Sequence, residues 1–353
     1  MSNINKQLKG CKGIEEVQGV NNGISEALEY FGIKKFNKVF IVEDINDYYD
    51  VLKHHRTINK NTFAKSTKFV FRGISDPKQK YSKLTRLFIN NSKLSQAELT
   101  LIEANMLRKF EQNSAYLLNG LYSPIDLVAT AQHYGLSTRL LDWSYSPLVA
   151  TLFALYEKTY INKKVAKKEK NEIPYYAICA TRLQDHVVVE NLLVDSDYIN
   201  VSKTIMYAKM VKKLEELFKE NDVEKYKTYL NNIFSSNNLK FTLKSGLEKE
   251  DSTINNAAKK LQDGKILFLK SSFSNTRIVE QKGLFQITVE TNNRNYLDKQ
   301  YAYGNVILIS KKIRRDLISL CEYFGVNYYG LTPDVEHIAK EIGRRENEKV
   351  NIY

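Results

Sequence analysis

The sequence has few cysteines, few prolines and a single tryptophan: three, five and one in 353 residues. Cys11, Cys179 and Cys321 are odd in number and far apart, which argues against a disulfide framework and suits reduced thiols in a cytoplasm. No cysteine or histidine spacing is typical of a zinc site, so we expect no metal. No run approaches the ~20 apolar residues that a membrane span needs, and residues 1–6 lack the apolar core of a signal peptide. We therefore expect a cytoplasmic protein with no membrane partner.

Motifs of several common enzyme classes are also missing. The sequence has no Walker A loop, no glycine-rich dinucleotide fingerprint, no His-Glu-x-x-His and no Gly-x-Ser-x-Gly. These absences exclude conventional kinases, dehydrogenases, zinc proteases and α/β-hydrolases.

Acidic residues are outnumbered by basic ones, 40 against 53, which gives a net charge of +13. An excess of this size favours a polyanionic partner such as nucleic acid, a nucleotide or an acidic protein. Lysine-rich coding in a genome of low GC content produces the same excess, so both explanations stay open.

Hydrophobic residues make up 43% of the chain, enough for a sizeable core. Predicted strands cluster instead of alternating regularly with helices, which favours an α+β fold with a mixed, mostly antiparallel sheet flanked by helices. We divide the chain into a lysine-rich N-terminal lead-in (1–64), one main domain (65–340) with an inserted helical subdomain (201–263), and a charged tail (341–353). Residues 158–170 form a loop with six lysines, either a solvated connection or a phosphate contact.

Two helix starts bracket a short polar segment. Ser123 and Pro124 predict the beginning of one helix and Gly135 predicts its end, while Ser146 and Pro147 begin a second helix. The second helix is apolar nearly all round and is therefore predicted to be buried. The first has a predicted apolar face made of Ile125, Leu127, Val128, Ala131 and Tyr134.

The segment between these helices carries Gln132, His133, Ser137, Thr138, Arg139, Asp142 and Trp143. Burying such polar groups is costly unless they are paired or used. One interpretation is structural: Asp142 pairs with Arg139 or a backbone donor, and Trp143 supports the core. The other is a functional site. For His133, capping or hydrogen bonding at the helix end is more common than a role as a base.

A second polar signal stands at Phe71-Arg72-Gly73, near the end of a predicted strand at residues 68–75. An arginine in this place is a solvated strand end, a partner of Asp76, or a fixed fork for carboxylate or phosphate. Gly73 allows a backbone or a ligand to approach closely.

Phe71-Arg72-Gly73 and the pattern Gln-His-x-Gly-x-x-Thr-Arg-x-Leu-Asp-Trp-x-x-x-Pro-Leu-x-Ala at residues 132–150 together resemble the FRG-domain family. The resemblance covers about residues 66–340 and is weak in the middle. It extends to four further stretches, at residues 81–86, 103–110, 277–285 and 324–336.

The order of these polar residues is also similar to that of ADP-ribosyltransferases. In that arrangement, an arginine on an early strand holds NAD, a later Ser/Thr strand leads into an Ala-Phe-Ala-like helix, and an acidic or amide residue addresses the ribose. The resemblance implies NAD as substrate and a catalytic set of Arg72, Thr138, Glu280 and Gln281. It implies a binding set of Phe71, Gly73, Gln132, His133, Ser137, Arg139 and Arg277. Whether Glu280, Gln281 or Asp142 is the key polar residue stays open.

Two functions of different classes follow from these observations. The first is an NAD-consuming ADP-ribosyltransferase-like enzyme or NAD glycohydrolase of the toxin or phage-defence type. It would modify a macromolecule such as nucleic acid, and an antitoxin or regulatory protein would control its activity. The second is a non-catalytic nucleic-acid-binding or interaction module. If the site assignment is right, Arg72, Gln132, Thr138, Arg139 and Gln281 converge on one concave surface.

Overall fold

In a computed structural model of the chain, the described residues are 5, 7–55, 68–90, 93–114, 116–117, 124–155, 173–190, 266–270, 276–288, 301, 304–331, 339 and 342–343. The predicted helical insertion, the lysine-rich loop and most of the tail lie outside these residues. Within them, no helix has both the length and the apolar character needed to cross a bilayer.

Eight strands in the described part of the chain form one sheet. They are β1 (Lys38–Val42), β2 (Phe69–Ile74), β3 (Leu140–Ser144), β4 (Tyr175–Arg182), β5 (Val187–Glu190), β6 (Leu267–Lys270), β7 (Gly283–Ile287) and β8 (Asn305–Ser310). Their order across the sheet is β1-β8-β4-β2-β3-β7-β6-β5. The outer pairs β1–β8 and β5–β6 are parallel, and the inner pairs are antiparallel. The predicted α+β class with a mixed, mostly antiparallel sheet is confirmed.

The helices among the described residues are α1 (Ile14–Gln18), α2 (Asn22–Tyr30), α3 (Ile45–His54), α4 (Lys83–Asn90), α5 (Gln96–Ser114), α6 (Pro124–His133), α7 (Pro147–Leu155), α8 (Thr276–Glu280), α9 (Arg314–Tyr323) and α10 (Tyr328–Leu331). Short 3-10 turns stand at Pro77–Lys80, Leu183–Asp185 and Lys311–Ile313. The N-terminal lead-in supplies the edge strand β1, so it shares the sheet with the rest of the chain.

The two faces of the sheet have separate cores. One face packs Val70 and Trp143 against the N-terminal segment, including Leu28 of α2. The other packs Phe71 against α7, including Ala154. Because side chains alternate along a strand, Arg72 belongs to the face of Val70, and Gly73 belongs to the face covered by α7.

Helix α6 ends as the sequence predicts. Gly135 has a φ of +100°, its N–H donates to the carbonyl of Gln132, and the N–H of Leu136 donates to that of Ala131. These are the two hydrogen bonds of a Schellman motif, in which glycine adopts a left-handed conformation. The prediction for Tyr134 is wrong: this residue caps the helix, and its side chain is 70% exposed instead of joining the apolar face.

Two further helices have local ends. Helix α5 ends at Ser114, and α8 ends at Glu280 after five residues. The turn after it places Lys282 at a φ of +45°, and Gly283 is the first residue of β7.

His55, just after α3, is buried as a neutral imidazole. Its Nδ1 donates to the carbonyl of Val51 at 2.8 Å, and its Nε2 accepts from the side-chain amide of Asn305 at 2.9 Å. The ring packs against the rings of Phe40, Phe69 and Phe71. Burial lowers the pKa of His55 to about 4, because the apolar surroundings disfavour the imidazolium.

We expect acid to destabilise the protein through His55. The unfolded chain binds a proton on this side chain near its ordinary pKa of 6.5, while the folded chain resists protonation down to about pH 4. The stability contributed by the neutral ring is therefore complete above pH 6.5 and is lost progressively as the pH falls toward 4. In urea denaturation at pH 7.5 and 4.5, the unmodified protein should lose about 2–3 kcal/mol more than His55→Gln. Equal losses in the two proteins would contradict this assignment.

Candidate functional site

The central strands β2 and β3 separate beside Arg72. In the described sheet, β2 pairs with β4 from Phe69 to Ile74, whereas its register with β3 is limited to Phe71 and Ser144. The guanidinium of Arg72 occupies this separation. Its Nη1 donates to the main-chain carbonyl of Asp142 on β3, and its Nη2 donates to the carbonyl of Gln79 at 2.8 Å. Arg72 is thus held as a fixed fork between a strand and a turn.

No carboxylate in the described part of the chain forms a salt bridge with Arg72. Asp76, the acid that sequence proximity offers, instead accepts from the N–H of Lys78 and caps the 3-10 turn. The Nε of Arg72 is buried and has no hydrogen-bond partner among the described residues. Arg86 on α4 adds a second cation: burial lowers its pKa, the nearby charge of Arg72 lowers it further, and the carboxylate of Asp76 raises it. Two guanidinium groups stand against this one carboxylate, so the environment of Arg72 favours an anion.

Gln132 connects Thr138 to Asp142. The Thr138 hydroxyl donates to Oε1 of Gln132, whose Nε2 donates to Oδ1 of Asp142 at 2.8 Å. Thr138 is buried, while Asp142 is exposed. The amide therefore fixes the direction of a solvent-accessible carboxylate.

The side chain of Arg139 is buried. It is 0% exposed, and its Nε donates to Oε2 of Glu103 on α5 at 2.6 Å. The other oxygen of Glu103 accepts the main-chain N–H of Arg139, and Nη2 of Arg139 donates to the Thr100 hydroxyl. The predicted Asp142–Arg139 pair is wrong, and Arg139 is placed to hold α5 against the sheet instead of a ligand.

A small cavity lies beside Asp142. Its lining includes Gln132 and His133 of α6, Asp142 and Trp143 of β3, and Gln281 after α8. Its volume is about 30 Å³. This space suits a water molecule or a small polar group, whereas sites that enclose a whole ligand measure roughly 300–1,000 Å³.

The predicted convergence is therefore partial. Gln132 and Gln281 share the cavity and Thr138 stands behind Gln132. Arg72 does not line the cavity: its side chain starts from the sheet face of Trp143, opposite the Asp142 carboxylate, and it contacts β3 through the main-chain carbonyl of Asp142. Arg139 does not join them. The amide of Gln281 already donates to the carbonyl of Leu331 at 2.8 Å, which fits a wall residue.

Other predicted site residues fall outside the cavity. Phe71 is buried in the core under α7, and the Cα of Gly73 faces the main chain of that helix. Neither is therefore accessible to a ligand on that face. Glu280 is exposed and is not among the residues lining the cavity, and Ser137 is half-buried near the start of β3. Arg277 belongs to α8, but its side chain lies outside the described part of the structure.

Trp143 packs beneath the cavity. Its indole N–H donates to Oε1 of Gln286 at 2.8 Å, and its ring meets that of Phe268 edge to face. The ring thus supports β3 from the face opposite Asp142.

Sequence reasoning missed Glu103 as the partner of Arg139. A signal was present, because Glu103 stands between Leu99 and Leu107 at helical spacing, where an acid interrupts an apolar stripe. The contact of Arg72 with Gln79 had no such signal, since it uses a main-chain carbonyl that every residue type carries.

The mixed sheet and its flanking helices define an α+β protein, and the guanidinium of Arg72 lies where the central strands β2 and β3 separate. The family model of the FRG domain matches residues 67–163, a span that contains both β2 and β3. The chain therefore carries an FRG domain over this span. No curated protein and no solved structure matches it.

Proposed function

We propose that this protein is an NAD-consuming enzyme of the ADP-ribosyltransferase type, which breaks the bond between nicotinamide and ribose. The observation that carries the proposal is Arg72, a guanidinium fixed by two carbonyls, without a bonded carboxylate in the described structure, where β2 and β3 separate. Main-chain carbonyls orient the fork but leave its charge uncompensated. A pyrophosphate, with several charged oxygens, suits such a fork and the neighbouring Arg86.

Asp142 is the acid that fits the proposed reaction best. When the C1′–N bond breaks, its electron pair leaves with nicotinamide and positive charge develops on the ribose. A carboxylate held in place beside that carbon stabilises the charge. Asp142 is exposed, lines the cavity and is oriented by Gln132. Glu280 lies outside the cavity lining, and the amide of Gln281 is bound to Leu331.

The second half of the reaction needs a nucleophile. A hydroxyl of water or of a macromolecule bonds to C1′ and releases its proton, giving hydrolysis or ADP-ribosylation. NAD is larger than the 30 Å³ cavity, so the proposal requires β2 and β3 to part further when NAD binds. Because NAD loss harms the producing cell, the proposal includes a toxin or phage-defence role with an antitoxin or regulatory protein.

Replacing Arg72 should remove most of the nicotinamide release. We expect Arg72→Ala and Arg72→Lys to lose activity by similar factors, about 10- to 150-fold, since an ammonium does not reproduce the planar fork. The measurement is nicotinamide released from NAD by the purified chain, with RNA, DNA and protein acceptors supplied. Arg182→Ala is the matched control, because Arg182 ends the adjacent strand but is exposed and paired with Asp185.

Asp142→Asn refines the same test. Asparagine keeps an oxygen that accepts from Gln132 but removes the negative charge, so folding should be retained while nicotinamide release falls. If the unmodified protein neither binds NAD nor releases nicotinamide, the proposal is wrong. Salt-dependent binding of nucleic acid without any turnover would then support a non-catalytic binding module.

A further inference from the structure

An aromatic cluster with one exposed ring adjoins the cavity. Tyr134 stands at the C-cap of α6, where the Schellman turn at Gly135 ends the helix and leaves the ring 70% exposed. This ring meets that of His133 edge to face, with 4.8 Å between centroids, and lies 6.4 Å from the ring of Phe110 on α5. We call Phe110, His133 and Tyr134 the aromatic ridge.

Basic side chains flank the aromatic ridge. The ammonium of Lys83 donates to the carbonyl of Gly135, the residue after Tyr134, at 3.3 Å. On α5, Arg108 and Lys109 are exposed and immediately precede Phe110, which is followed by the acid Glu111. Three cations stand against two acids, Glu111 and the exposed Asp142 of the adjoining cavity, so the surroundings of the ridge keep a small positive excess.

The ridge is continuous with the candidate site. His133 contributes both to the ridge and to the lining of the cavity that holds the carboxylate of Asp142. A chain lying across the ridge is therefore brought to the edge of this cavity.

We propose that the aromatic ridge binds single-stranded nucleic acid. The exposed ring of Tyr134 offers a face on which an unpaired base stacks, and flanking cations follow the phosphate backbone. Duplex bases are already stacked on one another, so the unpaired form fits better. That the bound strand is the acceptor of the ADP-ribosyl group rests on the proposed function, whereas the binding itself does not.

The test uses the full chain and fluorescein-labelled 12-nucleotide strands of U or dT, followed by fluorescence anisotropy without NAD. Tyr134→Ala should weaken binding by about fivefold or more, the loss of one stacked base. The matched control is Phe324→Ala. Phe324 is 56% exposed and caps α9 before Gly325, in the same pair of main-chain hydrogen bonds. Its replacement should leave binding within a factor of two.

Salt dependence tests the cations separately. Lys83→Ala and Lys109→Ala should each lower the slope of log affinity against log salt by about one. Lys312→Ala should not, because Lys312 lies on the 3-10 turn after β8, three strands away from β3. The inference is overturned if the unmodified chain binds neither strand. It is also overturned if Phe324→Ala weakens binding as much as Tyr134→Ala. The same holds if an unlabelled protein acceptor displaces the labelled strand and an unlabelled strand does not.

The two proposals fail separately in this design. If the chain binds the strands but releases no nicotinamide, the nucleic-acid surface is supported and the proposed enzyme activity is contradicted. If the chain releases nicotinamide and binds neither strand, the enzyme activity is supported and the nucleic-acid surface is contradicted.

Discussion

Arg139→Met is expected to lower the free energy of unfolding by about 3–5 kcal/mol, because it leaves the carboxylate of Glu103 buried without its cation. Both side chains are almost completely inaccessible, so water cannot replace the missing partner. The measurement is urea denaturation at pH 7.5. An exposed pair gives the comparison: Arg182→Met breaks the Arg182–Asp185 contact and should cost less than about 1 kcal/mol.

A double-mutant cycle identifies the cause of this loss. Glu103→Gln keeps an oxygen for the main-chain N–H of Arg139 while removing the charge. Alone, it should also destabilise the protein, since Arg139 is then the unpaired ion. Combined with Arg139→Met, it should cost about 2–3 kcal/mol less than the sum of the single changes. Additive losses would show that the two residues do not stabilise each other.

Arg139→Met also separates the two roles considered for Arg139. If Arg139 has a structural role, the variant should be less stable, and the fraction that remains folded should bind NAD with unchanged affinity. A ligand-binding arginine predicts the reverse, a stable chain with weakened NAD binding. The complete burial of Arg139 favours the first outcome.

Features with local causes were predictable from the sequence. The end of α6 at Gly135 depends on one glycine and two neighbouring carbonyls, and the start of α7 depends on Ser146 and Pro147. The pairing of Arg139 was not predictable in this way. Its partner is 36 residues away, and nearby Asp142 offered an equally good charge.

The candidate site shows the same division. Gln132, Thr138 and Asp142 meet because a tight turn returns the chain from α6 to β3, so their grouping was visible in the sequence. The position of Arg72 at a strand separation depends on strand order, which local patterns do not determine. The exposure of Tyr134 was missed because a helical pattern does not show whether its last aromatic residue still belongs to the helix.

Gly73 illustrates how one residue type supports two interpretations. A glycine after an arginine allows a ligand or a backbone to approach closely, and the sequence left both open. In the structure the approaching group is α7. A Cβ on Gly73 would overlap the main-chain oxygen of Ala150 and lie 2.5 Å from the amide nitrogen of Ala154. The third residue of Phe-Arg-Gly thus fixes the distance between β2 and this helix.

Gly73→Ala is therefore expected to destabilise the protein by at least about 3 kcal/mol, the upper end of the range for overpacking. The clash involves main-chain atoms, so trimming a neighbour by Ala150→Gly should not restore stability. Gly23→Ala is the matched control: Gly23 lies in α2 with no contact closer than 3.5 Å, and alanine there should stabilise the helix by about 0.5–1 kcal/mol. Urea denaturation measures all three variants. A different result would place Gly73 in the ligand site: a Gly73→Ala protein of normal stability that no longer binds NAD. In that case the alanine methyl would displace a ligand and not the helix.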